Sequence, residues 1–168
     1  RAARERRVFP GQPAEPGEPG PHKPGQVPAA SPGDRMAWKS RAAPVLAAAA
    51  ARIEAIAAAM PAPERAELAA LGADVAAEAA RLAGGRASRR ESTASRLQGL
   101  DEKLVQMIER ATPEAELAAL ERSVEERLAP HREHMSAAIF TETRRRAQAT
   151  RLREHHGLPR LDLIVSLD

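Results

Sequence analysis

The sequence predicts an all-α protein: an Ala-rich bundle of antiparallel helical hairpins with about five helices, a disordered Pro/Gly-rich N-terminal arm and a short extended C-terminal tail. Apolar residues recur at spacings of three and four from residue 40 onward, and Pro or Gly separates the periodic segments. Ala supplies 38 of the 168 residues, whereas Leu, Ile, Val and Phe together supply only 29. We therefore expect a thin core with closely packed helices.

The N-terminal arm is predicted to cover residues 1–39. Residues 10–33 contain eight Pro and five Gly, and such a segment buries too little apolar surface to offset its ordering entropy. It favours an extended, solvated spacer. An alternative is that Met36 is the native start and residues 1–35 are an upstream addition. The segment after Met36 also resembles a signal peptide, although its apolar part is mostly Ala.

Residues 40–85 are predicted to form a helical hairpin. The first helix is expected from Ser40 to Ala59, and the second from Pro63 to the Gly84–Gly85 pair. Each carries one apolar stripe, made of Leu46, Ala49, Ile53, Ile56 and Met60 in the first and of Leu68, Leu71, Val75, Ala79 and Leu82 in the second.

Residues 86–158 are predicted to hold three more helices. Ser88 and Ser95 both fit the first position of a capping box for the third helix. Thr112 is expected to cap the fourth helix, and the fifth is expected over residues 131–156, with Gly157 ending it. The part of the fifth helix up to Phe140 has one apolar face, whereas the part after Phe140 is polar on every face. We expect the polar stretch to project from the bundle.

An arginine cluster lies in this polar stretch. Five Arg without an intervening acid fall between residues 144 and 153, and on a projecting helix they predict contacts with nucleic-acid phosphates. Gln148 is the only amide among them, so little base reading is expected. The alternatives are a solvated helix end and an acidic protein partner. The cluster consists of Arg144, Arg145, Arg146, Arg151 and Arg153.

The tail, residues 159–168, alternates apolar and polar side chains in a strand-like pattern. It is predicted to dock a protein partner as an added edge strand, through Leu161, Asp162, Leu163 and Ile164. The alternative is that Leu161, Leu163 and Val165 fold back over the exposed ends of the bundle.

The stretch from Arg160 to Ile164 also resembles the short peptide by which many bacterial replication and repair proteins bind the sliding clamp, Gln-Leu-(Ser or Asp)-Leu-Phe. Leu161, Asp162 and Leu163 match that pattern, whereas Arg160 replaces its Gln and Ile164 replaces its aromatic residue. The resemblance implies a clamp as one partner of the tail.

Catalytic and metal-binding residues are not predicted. The chain has no Cys, and it lacks nucleophile elbows, phosphate loops and HExxH patterns. His131 and His134 share one helical turn, but the His155–His156 pair is about 36 Å away along one helix. We expect no catalytic site, metal or cofactor. No apolar run reaches 18 residues, so we expect no membrane span and a cytoplasmic protein.

These observations predict a non-enzymatic helical adaptor. It would bind nucleic acid through the Arg-rich helix and dock a protein partner by its tail, in a replication-associated or mobile-element-associated accessory role. The alternative is a structural helical scaffold or oligomerisation module without nucleic acid, because the narrow Ala-rich stripes favour homo-oligomers.

Overall fold

The computed structural model describes residues 32–85 and 89–166, and within them every regular element is a helix. The predicted all-α class with about five helices is confirmed. Residues 1–31 of the predicted arm lie outside the described residues. The α-helices are α1 (Pro32–Ala58), α2 (Ala62–Ala83), α3 (Arg90–Ala111), α4 (Glu114–Leu128) and α5 (Ala137–His155), with 3₁₀ helices at Ala129–His134 and Leu161–Ser166.

Helix α1 begins at Pro32, eight residues before the predicted start at Ser40. The buried side chain of Trp38 explains this N-terminal extension. It lies about two turns before Leu46 on the same apolar stripe of α1 and is only 4% exposed. The prediction that the arm extends to residue 39 is therefore wrong. Residues 32–39 belong to the helical body.

The α1–α2 hairpin has the close packing that its alanines predict. Pro61 occupies the N-cap position of α2, and Arg65 donates two hydrogen bonds of 2.9 and 3.1 Å to the Met60 carbonyl across the turn. A Cβ added to Gly72 would lie 3.2 Å from Cγ2 of Ile53. This contact leaves little room for a larger residue at position 72.

Helix α3 begins at Arg90, which agrees with neither predicted cap. Ser95 lies inside the helix, and Ser88 lies outside the described residues. Thr112 caps the C-terminus of α3 rather than the start of α4: its hydroxyl donates to the Ile108 carbonyl at 2.6 Å. Pro113 takes the N-cap position of α4.

Helix α5 begins later than predicted because the segment after Pro130 forms a 3₁₀ turn instead of a continuous α-helix. Ser136 then provides the cap, its hydroxyl oxygen accepting a hydrogen bond from the Ile139 N–H at 3.3 Å. Gly157 ends the helix with a φ of 69°, as predicted.

The buried apolar residues fall into two clusters. The main core joins α1, α2 and α3 with Leu152 near the end of α5 and with the C-terminal 3₁₀ helix. A smaller seam between α4 and α5 contains Val124, Leu128 and Phe140. Helices α4 and α5 thus form a second hairpin with its own apolar seam. We call it the arm hairpin; it is distinct from the predicted N-terminal arm. Leu117, Leu120 and Leu152 fasten it to the main core.

Residues 161–166 of the tail are not extended, which corrects the strand prediction there; residues 167 and 168 lie outside the described part. Residues Leu161–Ser166 form a 3₁₀ helix that packs on α3 and α1. Leu161, Ile164 and Val165 are buried, whereas Leu163 is 50% exposed. Side chains three residues apart align on a 3₁₀ helix, so Leu161 and Ile164 enter the core together. The fold-back alternative is confirmed for Leu161 and Val165 and is wrong for Leu163.

No helix in the described part of the chain is both long and apolar enough to cross a membrane.

Candidate functional site

An open cleft of about 470 Å³ lies where the arm hairpin joins the body. Successive turns of three helices line it, and the spacing of the lining residues shows that each helix presents one face. The lining residues are Asp101, Glu102, Val105, Gln106 and Glu109 from α3, Leu117, Leu120 and Glu121 from α4, and Arg145, Gln148, Ala149, Leu152 and Arg153 from α5.

A buried ion pair lies at the floor of this cleft. Nε of Arg153 donates to Oδ1 of Asp101 at 3.2 Å, and Nη2 donates to Oδ2 of the same carboxylate. The two side chains are only 10% and 6% exposed. The Leu161 N–H also donates to Oδ1 of Asp101, at 3.1 Å. One carboxylate therefore joins α3, α5 and the tail.

The other arginines of the predicted cluster each have a carboxylate partner. Nη1 of Arg144 lies 3.0 Å from Glu125 on α4, and Nη1 of Arg151 lies 3.7 Å from Glu154. The remaining two, Arg145 and Arg146, share Glu142, both at 2.9 Å. Their side chains are nonetheless 73% and 74% exposed.

Local electrostatics follow from these pairs. Hydrogen bonds from Arg145 and Arg146 hold the pKa of Glu142 below its ordinary value. The same carboxylate raises the pKa of Arg145. In the tail, a bidentate hydrogen bond to Asp162 raises the pKa of Arg160. These shifts favour the charged forms of Glu142, Arg145 and Arg160.

The expectation that α5 projects beyond Phe140 with its guanidinium groups turned outward is therefore wrong in part. Leu152 is buried in the main core and Arg153 is buried against Asp101. Residues 114–155 contain eight Arg and eight acids without any Lys, so the arm hairpin has no net positive charge when His is neutral. Phosphate contacts can use only the exposed guanidinium groups.

The predicted docking residues of the tail are also not free. Leu161 and Ile164 are buried in the main core, and Asp162 is held by Arg160. Only Leu163 offers exposed apolar surface. Docking of an extended peptide, including the clamp-binding mode that the resemblance implies, would require the tail to leave the core.

The prediction that both His pairs lie on one continuous helix is wrong, because His131 and His134 belong to a 3₁₀ helix and α5 begins at Ala137. The His155–His156 pair has a structural role. Nε2 of His156 lies 2.8 Å from the Thr112 hydroxyl, which already donates to a carbonyl, so the ring nitrogen must be the donor. His155 lies 2.9 Å from Glu116 of α4. Across residues 32–85 and 89–166, no three His, Asp or Glu are arranged to hold a metal ion.

Burial lowers the pKa of His156, and coulombic interactions with the neighbouring His155 and Arg52 lower it further, whereas Glu116 raises it. Arg52 approaches from α1, where its Nε donates to the His156 carbonyl at 2.8 Å. The neutral ring of His156 therefore fastens the end of α5 to the end of α3.

Three carboxylates on the cleft rim have no ion-pair partner among the residues that the structure describes. Within the described ranges, no basic side chain lies within 4.0 Å of Glu102, Glu109 or Glu121. Arg145 interacts with Glu102 only over a longer distance. Between these acids lie the half-buried side chains of Val105 and Leu120. The floor of the cleft thus combines apolar side chains with the Asp101–Arg153 pair, and its exposed rim carries three acids together with Arg145.

Of the cleft residues, the sequence predicts a function only for Arg145 and Arg153, as phosphate contacts, and none for those on α3 and α4. Asp101 was the available signal, because it interrupts the apolar stripe between Leu97 and Leu104 and a buried carboxylate needs a partner. The sequence does not distinguish the rim acids from other surface residues, since exposed Glu is common on helices.

The sequence matches no protein-family model, and comparisons with curated proteins and with solved structures also find no match.

The buried pair predicts a large effect of one substitution. Arg153→Met leaves the Asp101 carboxylate buried without its cation, and we expect a loss of about 3–5 kcal/mol in the free energy of unfolding. Urea denaturation followed by circular dichroism measures this. Arg146→Met, at an exposed position of the same helix, is the control and should change stability by less than about 0.5 kcal/mol. Equal stability of the two variants would contradict the structural role of the pair.

His156 predicts a pH dependence of stability. Because its pKa is lower in the folded protein, the unfolded chain takes up a proton first, near its ordinary pKa of about 6.5. The free energy of unfolding should therefore be highest above that pH and should fall as the pH decreases below it, until the folded state is protonated too.

His156→Gln keeps a donor for Thr112 but cannot titrate, so its stability should depend less on pH across this range. Urea denaturation at several pH values between about 7.5 and 5 measures the slope. His134→Gln, in an exposed turn, is the control and should keep the wild-type slope. A His156→Gln slope equal to that of wild type would show that His156 does not contribute.

Proposed function

We propose that this chain is a non-enzymatic helical adaptor that binds a protein partner in the cleft between α3, α4 and α5. The observation that supports this proposal is the combination, in one cleft, of half-buried apolar side chains with three carboxylates that have no basic side chain within 4.0 Å in the described part of the chain. A volume of about 470 Å³ falls within the range of ligand sites in proteins.

The position of the cleft also favours a binding site over a purely structural junction between helices. It is bounded by both the body and the arm hairpin, and the Asp101–Arg153 pair fixes its floor. A preformed site of this kind binds without first paying for its own ordering. By comparison, the groove between α1 and α2 is lined mostly by Ala and offers a partner neither large side chains nor many charges.

Nucleic-acid binding is a second candidate, and a specific observation favours it. A smaller cleft of about 230 Å³ adjoins the first, and Arg145, Arg146 and Arg160 line it together with Gln98 and Thr150. Three acids line it too: Asp101, which is paired with Arg153, Asp162, which is paired with Arg160, and Glu102. Arg145 and Arg146 are the two most exposed members of the predicted cluster. Three guanidinium groups with nearby hydrogen-bond donors suit a backbone phosphate. The scaffold or oligomerisation module stays a prediction, as does the replication-associated or mobile-element-associated role.

The adaptor proposal predicts that the cleft selects peptides. A random peptide library displayed on phage is selected against the full wild-type chain, and each selected peptide is then measured by fluorescence anisotropy. Ala149→Gln narrows the cleft and should weaken binding about tenfold. Ala118→Gln makes the same change at an exposed position on α4 and should leave the affinity unchanged. If no selected peptide distinguishes these two variants, the adaptor proposal fails.

The nucleic-acid candidate predicts a salt dependence. Three phosphate contacts would weaken binding to a duplex about 40-fold as the salt rises from about 50 to 200 mM, because counterions are released. Arg145→Gln with Arg146→Gln should remove about two-thirds of this dependence. The control, Arg122→Gln with Arg127→Gln, makes the same charge change at exposed positions on α4. Absence of duplex binding at the lower salt would eliminate this candidate.

A further inference from the structure

We infer that the occupant of the α3–α4–α5 cleft is a basic amphipathic helix of a partner protein, an inference that rests on the adaptor proposal and specifies its partner. The geometry of the cleft favours a helix. Its three walls are helix faces, and the lining residues follow helical spacing, with Glu102, Val105 and Glu109 on α3 and Leu117, Leu120 and Glu121 on α4. A further helix packs against such ridges and grooves.

The length of the cleft agrees with a helical occupant. The lining residues of α3 span positions 101–109 and those of α5 span positions 145–153, each about 12 Å along its helix. An amphipathic helix of two to three turns presents its apolar side chains over the same length. The described residues contain no strand, so a partner strand finds no sheet edge to extend.

The apolar floor determines which side chains the partner inserts. Val105, Leu117 and Leu120 are only partly buried although they pack on the main core. Covering them would remove apolar surface from water. The partner face that enters the cleft should therefore carry Leu, Ile, Val or Met at spacings of three and four.

The rim determines the charge of the partner. Glu102 and Glu109 lie seven residues apart along one edge of α3, and Glu121 lies across the cleft on α4. Asp101 is paired with Arg153. The lining also contains Arg145, which shares one carboxylate with Arg146; with four acids and two Arg in all, its net charge is −2. The free charge at the rim is thus negative. Lys or Arg residues that flank the apolar face of a partner helix would complement it on both sides.

Three synthetic peptides test this inference with the full chain. They share one helical sequence with a Leu stripe and differ only in the flanking residues, which are Arg, Gln or Glu. Fluorescence anisotropy at low salt should show that the Arg peptide binds about tenfold more tightly than the Gln peptide, and that the Glu peptide binds more weakly than both.

A charge-neutralised variant locates the binding. Glu102→Gln, Glu109→Gln and Glu121→Gln together should reduce the affinity for the Arg peptide about tenfold and leave that for the Gln peptide nearly unchanged. The control combines Asp74→Asn, Glu126→Gln and Glu133→Gln, which make the same charge change at exposed positions outside the cleft. It should bind as wild type does. Thermal unfolding of both triple variants checks that each is folded.

The outcomes separate this inference from the proposed function. Equal affinity for the Arg and Gln peptides, or equal binding by the two triple variants, would overturn the inference. If phage-selected peptides use the cleft but lack basic residues, the adaptor proposal survives and the basic partner does not. If the chain self-associates in sedimentation and the rim substitutions abolish this association, the occupant is a second copy, which also overturns the inference.

Discussion

The ion pair between Asp101 and Arg153 joins three parts of the molecule that are distant in sequence. Asp101 lies on α3, Arg153 on α5, and the Leu161 N–H of the tail completes the coordination of the carboxylate. Burying both charges costs desolvation energy, so the pair contributes less to net stability than its geometry suggests. Its main effect is to fix position: it sets the register of α5 against α3 and directs Leu161 into the core.

The cleft follows from this constraint. The main core and the α4–α5 seam are separate apolar clusters, and they meet where α5 crosses the body near Leu152. His155 and His156 add polar contacts at the same junction, to α4 and to the end of α3. Because the arm hairpin has only a small seam of its own, its attachment depends on this junction. A partner bound in the cleft would contact α3 of the body as well as α4 and α5 of the arm hairpin, and would hold the two parts together.

Charge pairing explains why an arginine-rich helix does not make a strongly basic surface. The local sequence from 144 to 153 has no acid, but Glu142 and Glu154 lie just beyond it and Glu125 and Asp101 approach from other helices. What remains exposed is the pair Arg145 and Arg146. The acidic character of the cleft rim arises in the opposite way, because Glu102 and Glu109 on α3 and Glu121 on α4 line one cleft, and among the described residues no basic side chain lies within 4.0 Å of them.

The sequence alone determined the helical class, the α1–α2 hairpin, its two stripes and the helix stop at Gly157, because periodicity and breaker residues act over a few neighbouring residues. Local signals failed where distant packing decides. Trp38 extends α1 because the core accepts it, and the tail winds into a 3₁₀ helix because Leu161 and Ile164 enter that core together. Likewise, only the folded chain brings Asp101 to Arg153 and leaves Glu102, Glu109 and Glu121 without an ion-pair partner among the described residues. The partner of a charged side chain depends on which helices meet, and no local pattern records that.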